Sequence, residues 1–172
     1  MLVDMTSDPT PCEMKRQRIY IDTSVIGGCF DEEFAQWSRG LLNDFHRGRY
    51  KPIVSEIVAD EVSSAPAEVR NSYIELLTLD HEYLEITEEV SALAAHYQER
   101  NILSPRYYYD GVHIALATLA RVDLLVSWNF RHIVHYDRIR LFNSVNIEQG
   151  YHPLQIYSPR QVTSYGGHEE EI

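Results

Sequence analysis

Apolar positions recur along this chain in two modes, short unbroken runs and stripes at helical spacing. The run Ile19-Tyr20-Ile21 predicts a buried strand over 18–21. Phe34, Trp37, Leu41, Leu42 and Phe45 repeat at helical intervals and predict an amphipathic helix over 32–47, ended by Gly48. Pro52-Ile53-Val54 predicts a second strand, and Ser55 is a good N-cap for a helix over 56–64 that Pro66 stops. Val69, Tyr73, Leu76 and Leu77 give a helical face within 67–78, and Tyr83-Leu84-Glu85-Ile86 reads as a short extended piece. Thr87 caps the next helix, with Glu88 and Glu89 in the first turn, where the helix dipole favours acids. Val90, Leu93, Ala94 and Tyr97 form its buried face, and Asn101 ends it. Pro105 precedes the most hydrophobic helix, over 108–121, and Leu124-Leu125-Val126 is a third strand running into Ser127-Trp128-Asn129. A helix over 138–148 and a strand over 155–157 finish the domain before Pro159. This alternation predicts an α/β fold, with helices on both faces of a mostly parallel central sheet.

No repeat and no boundary interrupts 18–160. Residues 1–17 are polar and broken by Pro9 and Pro11, which reads as a disordered arm without a signal peptide. Residues 161–172 contain Gly166-Gly167 and then Glu169, Glu170 and Glu171, which reads as a solvated acidic tail. The 172 residues suffice for one domain with a real core, and no apolar run approaches the roughly 20 residues of a membrane span. Two cysteines without a CxxC pairing argue against a disulfide framework or a zinc site, and fit a reducing cytoplasm. The formal net charge of −11 argues against nucleic-acid binding over a broad basic surface. The charge is uneven: five acids and no lysine or arginine lie between Asp80 and Glu89, whereas 131–140 holds three arginines and two histidines against one aspartate.

Four polar positions stand out against this apolar frame. Asp22 follows the first strand directly, where open α/β sheets bind ligands, although Asp-Thr-Ser is also a common turn or helix cap. The pair Gly27-Gly28 then reads as flexible. In the helix after Ser55, Glu61 falls near 40° when Ile57 is set at zero and Val58 near 100°. Glu61 therefore lies inside the apolar stripe, while Glu56 and Asp60 face solvent. A carboxylate there is costly unless it is paired, protonated or bound to metal, or unless the position is a boundary where it reaches water. Asp110 opens a helix that is apolar on nearly every side, as a cap or as the wall of a cleft. His113, three residues on, shares its face as a supporting or structural group. Asn129 follows its strand as Asp22 follows its own, so parallel pairing would place both at one sheet edge. Its amide oxygen could serve a metal, and Ser127 could donate to a ligating carboxylate, as Thr23 and Ser24 could. The plainer reading of Ser-Trp-Asn is a turn.

Taken together, Ile-Asp-Thr-Ser-Val at 21–25, Ser55 with Glu61, Tyr-Asp-Gly-Val-His-Ile-Ala-Leu-Ala at 109–117 and Leu-Val-Ser-Trp-Asn-Phe-Arg-His-Ile at 125–133 resemble the PIN-domain nucleases. The resemblance is closest to the VapC-like toxins of toxin–antitoxin modules. It implies a three-layer α/β/α sandwich and an endoribonuclease that uses Mg²⁺ or Mn²⁺. It also implies metal ligation by Asp22, Glu61 and Asp110, with Asn129 as a fourth position, a small antitoxin protein as partner, and a homodimer. Many members have an aspartate where this chain has Asn129, which leaves the site one charge poorer.

The chemistry agrees with such a site. Phosphodiester hydrolysis brings an anionic nucleophile to an anionic phosphate, and Mg²⁺, a hard cation, acidifies and orients water and shields charge. Arg106 and Tyr107-Tyr108-Tyr109 run into Asp110, and Arg131 and His132 follow Asn129. Arg106, Tyr108, Arg131 and His132 are the candidates to hold single-stranded or loop RNA by pairing with phosphates and stacking on bases. Two of the three tyrosines could instead pack at the helix start. The rival readings are a PIN-like binding module without cleavage and a phosphotransfer enzyme with Asp22 as nucleophile. The latter lacks a second acid two residues after Asp22.

Overall fold

The computed structural model describes residues 15–163. The chain forms β1 (Gln17–Ile21), α1 (Thr23–Gly28), α2 (Ala35–His46), β2 (Tyr50–Ser55), α3 (Glu56–Ser63) and α4 (Ala67–Leu77). It continues through β3 (Glu82–Leu84), α5 (Glu88–Glu99), a 3₁₀ turn at Pro105–Tyr107, α6 (Tyr108–Leu119), β4 (Leu124–Val126), α7 (Tyr136–Glu148), β5 (Ile156–Tyr157) and α8 (Pro159–Val162). The five strands pair in the order β3-β2-β1-β4-β5, and every pairing is parallel. Sequence order runs outward from β1 in one direction and resumes on its other side at β4. The switch point of the sheet therefore lies between β1 and β4, where Ile21 is in register with Val126.

Period-2 alternation on the strands splits the core into two layers. Tyr20, Ile53 and Leu125 face the layer built by α5, α6 and α7, with Leu93, Tyr97, Ile114 and Phe142. Ile19, Ile21, Val54 and Val126 face the other, with Val25, Leu41, Phe45, Val58 and Tyr73. This is the expected three-layer α/β/α sandwich. Among the described residues no helix is long and apolar enough to cross a membrane.

Several boundaries differ from the reading of the sequence. β1 begins at Gln17 and α8 extends to Val162, so regular structure passes both ends of 18–160. Residues 1–14 of the expected arm and 164–172 of the expected tail lie outside the described residues. α8 is held by Pro159 at its first position and by a Ser158–Gln161 capping box. Thr163 Oγ1 donates to Asp44 Oδ2 at 2.9 Å beside it. α6 ends at Leu119, and Arg121 turns the chain with φ of 50°. α1 was not expected at all. Its two glycines are helical, not a flexible pair, and only Gly28 has a spatial reason. A Cβ on Gly28 would meet Ser38 Oγ at 2.5 Å and Trp128 Nε1 at 2.7 Å, whereas one on Gly27 would meet nothing within 4 Å.

At the opposite end of the sheet, Arg18 forks onto Glu82, with Nε–Oε2 at 2.6 Å and Nη2–Oε1 at 2.7 Å. Its Nη1 donates to the carbonyls of Ala120 and Arg121. One side chain thus fastens β1 to β3 across β2 and to the end of α6, and the bidentate geometry requires arginine.

The glycine pair gives a stability test. Gly28→Ala forces Trp128 or Ser38 to move and should cost about 1–3 kcal/mol. Gly27→Ala adds a methyl in open space within a helix and should be neutral or stabilising by up to about 1 kcal/mol. Thermal melting of the two variants against wild type checks the difference; equal melting temperatures would refute the close packing of α1 on Trp128.

Candidate active site

Four elements deliver polar groups to the carboxyl ends of β1 and β4. Asp22 sits one residue past β1 in extended conformation, at φ −86° and ψ 174°, as the N-cap residue of α1, yet its side chain makes no capping hydrogen bond. The carboxylate is 5% exposed. Ser24 Oγ donates to Oδ1 at 2.5 Å and Ser127 Oγ to Oδ2 at 2.6 Å. The two serines are fixed in turn, since Trp128 N–H donates to Ser24 Oγ and Asn129 N–H to Ser127 Oγ, each at 2.9 Å. The Asp22 carboxylate is thus held by two serine hydroxyls and does not cap α1. Burial raises its pKa above the ordinary carboxylate value, against the lowering effects of nearby His113 and of the two serine hydroxyls; the charge of Glu61 adds to the rise.

Glu61 corrects the expectation from its helix phase. Ile57 packs in one core layer and Val58 and Val62 in the other, so the stripe between them straddles the sheet edge instead of entering a core. Glu61 emerges along that seam with its side chain 42% exposed and meets His113 Nε2 at 3.1 Å. Burial works to raise its pKa, but the hydrogen bond from His113, the positive charge of the imidazolium form and the nearby Thr23 hydroxyl outweigh it and hold the carboxylate below its usual range. Thr23 Oγ1 is itself buried and without a partner within 3.5 Å. Glu56 is also not simply solvated, because Oε2 accepts the Ile86 N–H at 2.9 Å, while Asp60 is exposed as expected.

Under Glu61 lies a polar chain that the sequence did not reveal. Tyr20 OH is 2.8 Å from Ser55 Oγ and 2.6 Å from His113 Nδ1, and Ser55 Oγ accepts the Val58 N–H. Burial pushes the Tyr20 phenol well above its ordinary pKa, so it keeps its proton. Tyr20 therefore has a proton to share with His113 Nδ1, and the contacts form an unbroken chain from the Val58 N–H through Ser55, Tyr20 and His113 to Glu61. A tyrosine in a buried strand needs a partner for its hydroxyl, which was the one signal available beforehand.

Asp110 lies in the first turn of α6, not at its cap, and His132 Nδ1 stands 2.8 Å from its Oδ2. His132, expected to contact RNA, is 7% exposed and packs against the Tyr107 ring at 3.9 Å. It is spent on holding Asp110. Asn129 is also engaged otherwise than expected: its Oδ1 accepts the His132 N–H at 2.9 Å, which makes it the cap of the turn after β4. Of the remaining candidates, Arg106 and Arg131 are exposed and Tyr108 is half-buried. Tyr107 and Tyr108 pack at the margin of the core, and Tyr109 is 61% exposed.

Among the described residues, no three histidine, cysteine, aspartate or glutamate side chains lie close enough to enclose a metal ion. The donor chemistry still suits Mg²⁺ or Mn²⁺. The three carboxylates offer hard oxygens, Mg²⁺ commonly binds through only one or two carboxylates and keeps several waters, and the Thr23 hydroxyl oxygen could accept a hydrogen bond from a water of such a hydrated ion.

The family model of the PIN domain matches residues 19–138. Two solved structures share the fold. VapBC2 from Rickettsia felis, solved with a DNA fragment from the promoter, is 11% identical with a TM-score of 0.53, over 83% of this chain and 98% of that one. FitAcB from Neisseria gonorrhoeae is 15% identical with a TM-score of 0.52, over 84% and 99%. No curated protein sequence matches the chain. A family match spanning the switch-point carboxylate, the Glu61 helix and the Asp110 helix makes this chain a member of the PIN domain family.

Proposed function

We propose that the protein is a divalent-cation-dependent endoribonuclease that hydrolyses single-stranded or loop RNA, and that it is the toxin of a toxin–antitoxin pair. The observation that carries this reading is Asp22, a carboxylate buried at the switch point, relieved of any capping role and gripped on both oxygens by hydroxyls. PIN family membership supports nuclease chemistry. The fold shared with chains of VapBC2 and FitAcB supports an antitoxin partner. A cytoplasmic homodimer belongs to the same reading.

Asp22 would hold a Mg²⁺ or Mn²⁺ ion, with Glu61 and Asp110 reaching it through bound water. The ion supplies an acidified water and a shield for the charge building on the phosphate. Ser24 and Ser127 fix the plane of the Asp22 carboxylate. Glu61, ionised and open to solvent, is placed to accept the proton of the attacking water as the P–O bond to the leaving ribose breaks. His113 and His132 keep Glu61 and Asp110 oriented. Arg106 and Arg131 bind flanking phosphates. The second reading, a PIN-like RNA-binding or protein-interaction module without cleavage, draws on the use of Asn129 Oδ1 in a turn.

Cleavage of an oligoribonucleotide in Mn²⁺ separates the two. Asp22→Asn, Glu61→Gln and Asp110→Asn should each lower the rate by about a hundredfold or more, and Asp60→Asn should not. A wild type that binds RNA and never cuts it favours the inactive module. His132→Ala should lower kcat more than it raises KM, since it acts on Asp110; a change in KM alone would return His132 to RNA binding.

Melting in EDTA tests the electrostatics. A carboxyl whose folded pKa is raised binds more protons folded than unfolded, so its ionisation removes stability as pH rises through the interval between its unfolded and folded values. Asp22→Asn lacks that loss. Its melting temperature should gain on wild type from pH 4 to pH 8, and Mn²⁺ should stabilise wild type more than the variant. A gap independent of pH would mean that Asp22 is not desolvated.

A further inference from the structure

Beside Asp22, α1 and the turn after β4 bound a cleft of about 450 Å³ that the catalytic reading leaves unused. Gly27 and Gly28 line it from α1. Its aromatic side is Phe34, stacked on Trp128 with ring centroids 4.2 Å apart and planes 22° from parallel. Trp128 cannot shift easily, because its Nε1 donates to Ser38 Oγ at 2.8 Å and Gly28 lies directly against the indole. Phe130, 48% exposed, stands beside the lining, edge-on to Trp128 at 6.0 Å and tilted to Phe34 at 6.4 Å. Large rings left in water at the rim of a cleft are a surface that gains by being covered.

Three polar residues complete the lining, and they point to the occupant. Ser24 and Asn129 belong equally to the candidate active site: Ser24 Oγ donates to Asp22, and the Asn129 N–H donates to the Ser127 hydroxyl that holds the other Asp22 oxygen. A strand with its phosphate at Asp22 therefore passes this opening. Asp31 is the third. Its Oδ1 accepts the Glu33 N–H at 2.9 Å, and the other oxygen repels phosphate but can accept a hydrogen bond from the exocyclic amino group of adenine, cytosine or guanine. Aromatic faces with a polar acceptor match a nucleobase; an apolar peptide side chain would use the rings alone.

We infer that this cleft holds the nucleobase adjacent to the phosphate bound at Asp22, stacked against Phe34 and Phe130, and that it selects against uracil at that position. The inference rests on the endoribonuclease reading for its register, and the test separates the two.

The full-length chain is mixed with short fluorescent single-stranded oligoribonucleotides, intact or carrying one abasic nucleotide at successive positions. Binding is read by anisotropy and by quenching of tryptophan, of which the chain has only Trp37 and Trp128. Gly27→Leu fills the cleft from a position where a Cβ meets nothing within 4 Å, and Phe130→Ala removes an exposed ring without burying anything. Both should weaken binding of intact RNA by about tenfold. For one abasic position the loss should vanish, and Gly27→Leu should abolish the quenching. Asp31→Asn should relax the disfavour for uridine there. Wild-type binding in both variants, equal loss on every abasic substrate, or quenching by an apolar peptide but by no oligoribonucleotide would overturn the inference. Quenching that follows these rules without any Mn²⁺-dependent cleavage by wild type would leave the base cleft standing and remove the nuclease reading. Cleavage by wild type and by Gly27→Leu at one rate would do the reverse.

Discussion

A negative charge held out of water at the point where the sheet reverses its strand order governs this structure. An isolated buried carboxylate is costly, and Asp22 is tolerable only because two hydroxyls donate to it from opposite sides. Those hydroxyls come from α1 and from the residue after β4, positions 103 residues apart in the chain, so the same two bonds also close the sheet edge. Each serine then receives a backbone N–H from the turn after β4. Turn, helix start and strand end are fixed by one carboxylate. A side chain placed there for capping alone would not need such support.

β1 shows how a single strand serves three purposes through its alternation. Arg18, Tyr20 and Asp22 share one parity and face the α5–α7 layer, while Ile19 and Ile21 face the other core. Arg18 clamps the far end of the sheet through Glu82 and the carbonyls at the end of α6. Tyr20, in the middle, carries a hydrogen-bonded chain from Ser55 to His113. Asp22 stands at the switch point of the sheet, in the candidate site. The clamp and the relay both meet α6, which also carries Asp110 and His113, so the position of this apolar helix relative to β1 is set at both ends. A pair as exposed as Arg18–Glu82, with side chains 20% and 33% exposed, contributes modestly to stability; its use lies in the register it imposes.

The strands, most helices and all three carboxylates could be read from the sequence because they obey short-range rules. A carboxylate after an apolar run, a carboxylate inside a stripe and a carboxylate opening an apolar helix are visible in windows of a few residues. The partners of these carboxylates were not. His132 reaches Asp110 across 22 residues and His113 reaches Glu61 across 52, and periodicity says nothing about such pairs. The basic character of 131–140 suggested a phosphate contact for His132, whereas tertiary packing buried it. α1 was missed for a related reason. Two glycines depress helix propensity, and only the Trp128 ring, distant in sequence, shows why Gly28 is required.

On the proposed endoribonuclease reading, an acidic protein must confine attraction to a small area. The formal net charge is −11, and the exposed cations nearest the site in sequence, Arg106 and Arg131, flank Asp110 and Asn129. Few phosphates can then be neutralised, so the electrostatic share of affinity is small and falls little with added salt. What electrostatics does not supply must come from stacking and from a bound divalent cation, both of which are local. The aromatic cleft at Trp128 adjoins Asp22 through Ser24, which lines the cleft and donates to the carboxylate. Repulsion elsewhere on the surface then works in favour of selectivity, because a nucleic acid gains only where a base can be unstacked and its neighbouring phosphate brought to Asp22.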